Sequence, residues 1–256
     1  MGNILSFMSG DPSGLKKSTF ERFEVECCDH SFFRRGKAFF RVNGDGILQV
    51  LKFEPGSSIS PFRLCVGLFS MYSELQKQWF TSNGCIPRYE ISNLLHMDIT
   101  DKPTYDIKYT KFGKITPESQ LDLLTSRGFY WLDQILTQSQ LVSQMCKLDA
   151  IRYGKVLWND LEKFAPYLHA GNREYAAKVI DAILAQHQFA DSSNMQILTE
   201  PELSRYRLRR EAEDLQLHTL KQLAQEGDPI KIQEYLDRNF RSNCQYARFC
   251  IKDENT

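Results

Sequence analysis

The sequence predicts an α+β protein: a mainly antiparallel β part with one helix, followed by an all-helical C-terminal part. Three observations carry this. Alternating apolar residues and tight-turn dipeptides concentrate before residue 116. Thr116-Pro117-Glu118 is a helix-start signal at the point where the pattern changes. Beyond it, strand signals nearly vanish and helical stripes follow one another. Residues 1–18 read as a flexible arm, 19–115 as a β-rich domain and 116–256 as a helical domain.

In chain order, Phe20 to Cys27 carries the alternating set Phe23, Val25 and Cys27, which predicts a strand. Ala38–Val42 and Ile47–Glu54 flank Asn43-Gly44-Asp45-Gly46, and the glycines supply the positive φ that a tight hairpin needs. Ser60-Pro61 reads as a helix start, and Phe62, Val66, Phe69, Leu75 and Trp79 as the apolar stripe of a helix ending near Ser82-Asn83-Gly84. Tyr89–Ile99 and Tyr105–Ile115 read as further strands. After Thr116, stripes appear at Leu121/Leu124, Trp131/Ile135/Leu136 and Leu141/Met145/Leu148, and again from Val156 to Leu168. Tyr175, Val179, Ile180, Ile183 and Leu184 mark an amphipathic helix over 172–189, followed by a polar linker over 190–199. A helix from Pro201 to Ala224 carries Leu208, Ala212, Leu215 and Leu223, and Asp228-Pro229 opens a last helix to about Arg241.

Composition limits the function classes. The chain has 256 residues, with 32 Lys+Arg against 32 Asp+Glu. This excludes a uniformly basic nucleic-acid binder and an acidic disordered chain. Hydrophobic residues at 42% suffice for a packed core. No apolar run approaches the ~18 residues of a membrane span. The balance hides an asymmetry: residues 1–115 hold 15 basic and 12 acidic residues, and residues 116–256 hold 17 and 20. The seven cysteines are odd in number and form no Cys-x-x-Cys pair. With no secretory signal and no Asn-x-Ser/Thr sequon, they read as free thiols of a cytosolic-side protein.

Motifs for cofactors and metals fail on chemistry. In the calcium-like Arg41-x-Asn43-x-Asp45-Gly46, the first and twelfth ligand positions would fall on Arg41 and Lys52, which repel a cation. Gly44-x-Gly46 lacks a third glycine. Cys27-Cys28-Asp29-His30 puts adjacent thiols on opposite faces of a strand and has no second cluster to complete a tetrahedron. No cofactor, metal or catalytic constellation is expected, and an enzyme of unrecognised type is the third-ranked reading.

The credible chemical signals lie near the N-terminus. Gly2 after Met1, with Ser6 in place, matches the myristoylation pattern, and Ser9–Gly14 forms a tether. One myristoyl chain binds membranes only marginally, on the order of 10⁴ M⁻¹, so a second contact is needed. Lys16 and Lys17 supply charge, opposed by Glu21, Glu24 and Glu26. The segment 32–41 supplies more: Arg34, Arg35, Lys37 and Arg41 interleave with Phe32, Phe33, Phe39 and Phe40. Such a pattern suits anionic lipid headgroups, or single-stranded nucleic acid stacked on the rings, or a hairpin with phenylalanines inward and a charged edge outward. A second cluster, Arg205, Arg207, Arg209 and Arg210, is expected to pair along its own helix as Arg207–Glu211, Arg209–Glu213 and Arg210–Asp214.

The expectation is a non-enzymatic, N-myristoylated peripheral membrane protein of scaffold or matrix type. It would meet an anionic inner leaflet through Gly2 and the basic hairpin, and keep a soluble cytoplasmic pool. Its helical half would bind a protein partner or self-associate. A soluble nucleic-acid-associated protein using the same hairpin is the runner-up.

Overall fold

The computed structural model describes residues 17–55, 62–74, 89–90, 116–158, 160–194 and 199–246. Helix α1 (Lys17–Asp29) precedes strands β1 (Phe33–Arg35), β2 (Ala38–Asn43), β3 (Ile47–Pro55), β4 (Phe62–Ser70) and β5 (Tyr89–Glu90). Helices α2 (Pro117–Leu123), α3 (Phe129–Asp133), α4 (Gln138–Tyr153), α5 (Phe164–His169), α6 (Arg173–Asn194), α7 (Glu200–Glu226) and α8 (Pro229–Tyr246) follow. The α+β layout is as the sequence predicts. The strands form one antiparallel sheet in the order β1-β2-β3-β4-β5.

The β2–β3 hairpin stands where the turn dipeptides put it. Asn43 pairs with Ile47, and Gly44 and Gly46 take φ of +51° and +65°. The flanking segments differ in type from expectation. Phe20–Cys27 is helical: Thr19, Phe23 and Cys27, four residues apart, are buried, while Val25 is 58% exposed. An i, i+4 pair also satisfies a period of two, and Val25 alone separated the readings. Phe62–Ser70 is a strand in register with β3 from Ile47↔Ser70 to Pro55↔Phe62. Leu64 to Met71 are buried without a break. A strand covered on both faces is a continuous apolar run, which periodicity cannot tell from a buried helix. Residues 71–74 of that expected helix form a turn, and its remainder, most of Tyr89–Ile99 and all of Tyr105–Ile115 lie outside the described residues.

Both faces of the sheet are covered. Phe39, Ile47, Leu51, Phe53, Leu64, Val66 and Leu68 pack with Phe23 and Cys27 of α1, Leu121, Phe129 and Leu132 of α2–α3, and Leu141, Met145 and Leu148 of α4. Phe40, Leu48, Val50 and Phe69, on the other face, meet Phe240 and Cys244 of α8. The period of two along β3 therefore separates two cores. A third core joins Val142 of α4 to α5, α6, α7 and α8. Side-chain amides finish the ladder ends: Gln120 accepts from the Leu64 N–H, and Asn243 donates to the carbonyls of Met71 and Ser73.

Helix ends follow their caps. Thr116 and Thr137 make reciprocal boxes with Ser119 and Gln140, and Asp228 accepts from the Ile230 N–H. Three further boundaries differ from expectation. Ile135 and Leu136 lie beyond the end of α3. Residues 154–158 are irregular, and Asp160 caps a single 3₁₀ turn, Leu161–Lys163, before α5. Helix α6 runs through the expected linker to Asn194.

Helix α7 also turns a different face inward. Leu203, Leu217, Leu220 and Ala224 are buried, whereas Leu208 and Leu215 are each 70% exposed. Leucines line both sides of this helix, and polar pairs with α6 select the inner one. Asp214 bonds His187 at 2.6 Å, Asp191 receives Tyr206 at 2.5 Å, and Lys221 reaches Asp181 at 2.7 Å.

Candidate functional site

Gly2 and Lys16 lie outside the described residues. Lys17 opens α1 with its side chain 91% exposed and its ammonium 3.6 Å from Glu21. One turn on, the Phe20 ring lies 4.9 Å beneath the guanidinium of Arg34. Arg34 donates to both Glu24 oxygens, at 2.8 and 2.9 Å, and to the Gly36 carbonyl. The β1–β2 hairpin is thereby clamped to the first turns of α1. Its two-residue connection is Gly36-Lys37, with Gly36 at φ +60°. Arg35 and Lys37 are exposed there. Arg34, Arg35 and Lys37 thus lie outward on the hairpin that packs on α1, and Lys17 opens that helix, with Glu21 and Glu24 tempering the charge.

Arg41 is placed elsewhere. It is 8% exposed and points inward. Its Nε donates to Gln49 at 2.7 Å, Nη1 to the His30 carbonyl at 2.9 Å and Nη2 to Asp133 at 2.5 Å. The Phe32 ring lies 4.5 Å from it. This cation is internal, a buried node joining β2, β3, the end of α1 and α3. The rings follow it: Phe32, Phe39 and Phe40 are buried, and Phe33 is half-buried. The interleaved pattern resolves into inward phenylalanines and outward Arg34, Arg35 and Lys37.

The cysteine pair splits likewise, Cys27 inward and Cys28 outward on α1. Burial pushes the Cys27 thiol well up, which keeps it protonated and inert. In the α7 cluster, Arg209–Glu213 forms at 2.8 Å. Arg210 instead takes Asp191 and Glu213, and Asp214 takes His187. Arg205, Arg207 and Leu208 stay on the outer surface.

One cluster escaped sequence reasoning. The Gly44–Gly46 turn docks on the residues between α3 and α4. The Asp45 N–H donates to the Leu136 carbonyl at 2.8 Å, and the Gln138 amide donates to the Asp45 carbonyl. The Asp45 carboxylate receives the Tyr72 hydroxyl at 3.0 Å and lies 3.4 Å from His169 Nδ1. The Tyr72 ring packs against His169 at 4.2 Å and Phe240 at 5.1 Å. Burial first, and then the Asp45 charge, pushes the Tyr72 hydroxyl up to about 12. This constellation ties the hairpin to α4, α5 and α8. Asp45 and His169 are far apart in sequence, and no local pattern joins them. A shallow groove of about 380 Å³ follows α8 past Glu234, Asp237, Arg238 and Arg241, all on one helix, so groups from separate elements do not converge there.

No known protein family, curated protein or solved structure matches the chain.

Proposed function

We propose that the chain is a non-enzymatic peripheral membrane protein of scaffold or matrix type, anchored by an acyl group on Gly2 at the cytosolic face. The observation that carries this reading is the outward setting of Arg34, Arg35 and Lys37 on the hairpin whose Arg34 lies over Phe20, one turn from Lys17 at the start of α1. An acyl arm leaving that point would bring these cations to an anionic leaflet. Arg35 and Lys37 at the turn would add about 1 kcal/mol each, roughly 30-fold together, to the marginal affinity of one acyl chain. The outer face of α7, with Leu208 and Leu215 exposed, would serve a protein partner or a second copy.

Nucleic-acid binding has weaker support. Single-strand binders stack bases on exposed rings, and Phe32, Phe39 and Phe40 are inside.

The test is the intact mass of protein made in a eukaryotic host. Loss of Met1 plus a myristoyl increment is the expected result. An unmodified or acetylated terminus overturns the proposal.

A further inference from the structure

The chain also buries a lysine. Lys163 is 0% exposed and Asp149, on α4, is 3% exposed. The Lys163 ammonium contacts Asp149 Oδ2 and donates to the Leu157 carbonyl at 2.7 Å. The Leu157 N–H donates in turn to the same Asp149 oxygen at 3.2 Å. Asp160 Oδ2 stands 3.6 Å from Lys163 Nζ, and its other oxygen is fixed by the Glu162 N–H at 3.2 Å. Amine and carboxyl therefore meet in a dry site with a second carboxylate at hand.

Leu157 offers one donor toward the carboxyl and one acceptor toward the amine. That is the complement of a secondary amide, with one C=O and one N–H. Burying the two charges is costly, whereas a neutral amide would keep both Leu157 hydrogen bonds without them. Well-oriented intramolecular groups can reach effective molarities on the order of 10⁵ M or more.

We infer that Lys163 and Asp149 condense to an intramolecular side-chain amide that staples the 3₁₀ turn to α4. A proton passes from the ammonium to the Asp149 carboxylate, leaving a neutral amine and a carboxylic acid. The Nζ lone pair attacks Cγ of Asp149. Asp160 takes a proton from Nζ and returns it to the departing hydroxyl, which leaves as water. One N–C bond forms, one C–O bond breaks, and no oxidant or reductant is involved.

Peptide mapping of the purified full-length chain tests this. The expected result is one branched peptide holding both residues, lighter by one water than its two parts, with cleavage after Lys163 lost. Lys163→Arg should return two linear peptides of full mass, and Asp160→Asn should lower the crosslinked fraction. Separate full-mass peptides for Asp149 and Lys163, from wild-type protein folded by circular dichroism, overturn the inference. That wild-type map decides the matter even where a variant fails to fold.

Discussion

Replacing Arg41 with alanine tests the inward assignment of the hairpin. Arg41 is 8% exposed, and its guanidinium holds Gln49 Oε1, the His30 carbonyl and Asp133. Hydrogen bonds to charged groups contribute about 1.5–3 kcal/mol each, and removing one partner leaves the others without theirs. Gln49 is fully buried, so its freed oxygen bears the whole desolvation penalty. The Asp133 side chain is 42% exposed and would regain water, so it adds little. The expected loss is about 3 kcal/mol, near the low end for breaking a buried pair. Arg35→Ala, at the exposed turn, should stay within about 0.5 kcal/mol of wild type. Urea unfolding followed by circular dichroism measures both. Equal, small losses in the two variants would refute the assignment and return Arg41 to the surface.

Three further outcomes follow from the same geometry. Gly44→Ala would set a Cβ 2.3 Å from the Leu136 carbonyl oxygen at a φ of +51°, so the variant should lose at least about 1–2 kcal/mol from the backbone conformation alone, read by the same unfolding assay. Leu217→Ala should cost about 2–5 kcal/mol while Leu215→Ala costs almost nothing, since Leu217 is 6% exposed and Leu215 70%; the reverse order would mean that α7 is rotated. Tyr72 keeps its proton to about 12 when folded, against about 10 for an ordinary tyrosine, so its contribution is fully present below pH 10 and is lost as the pH rises toward 12. Unfolding between those pH values should show a gentler decline in Tyr72→Phe than in wild type.

The parts legible in the sequence are those fixed by neighbouring residues. Asn43-Gly44-Asp45-Gly46 needs positive φ wherever it stands, and Thr116-Pro117 caps a helix by local hydrogen bonds, so both were found in place. Elements defined by what covers them were not. Phe23 and Cys27 satisfy both periods, and only the α1 packing that exposes Val25 selects the helix. The Leu64–Phe69 run of β4 is apolar without a break because α1–α4 lie on one side of the sheet and α8 on the other. Leu208 and Leu215 make as good a stripe as Leu217 and Leu220 until Asp181, His187 and Asp191 of α6 select the other side. For the candidate site, local charge located Arg34, Arg35 and Lys37, but the inward course of Arg41 depends on Asp133 and Gln49. The Asp45, Tyr72 and His169 cluster depends entirely on tertiary assembly, as does the meeting of Lys163 with Asp149.

The membrane proposal is tested most directly by fractionating eukaryotic cells that express wild-type protein or Gly2→Ala. Wild-type protein should divide between the membrane pellet and a soluble pool, and Gly2→Ala should move wholly to the soluble fraction. Gly2→Ala that still pellets with membranes as wild type does would contradict the account.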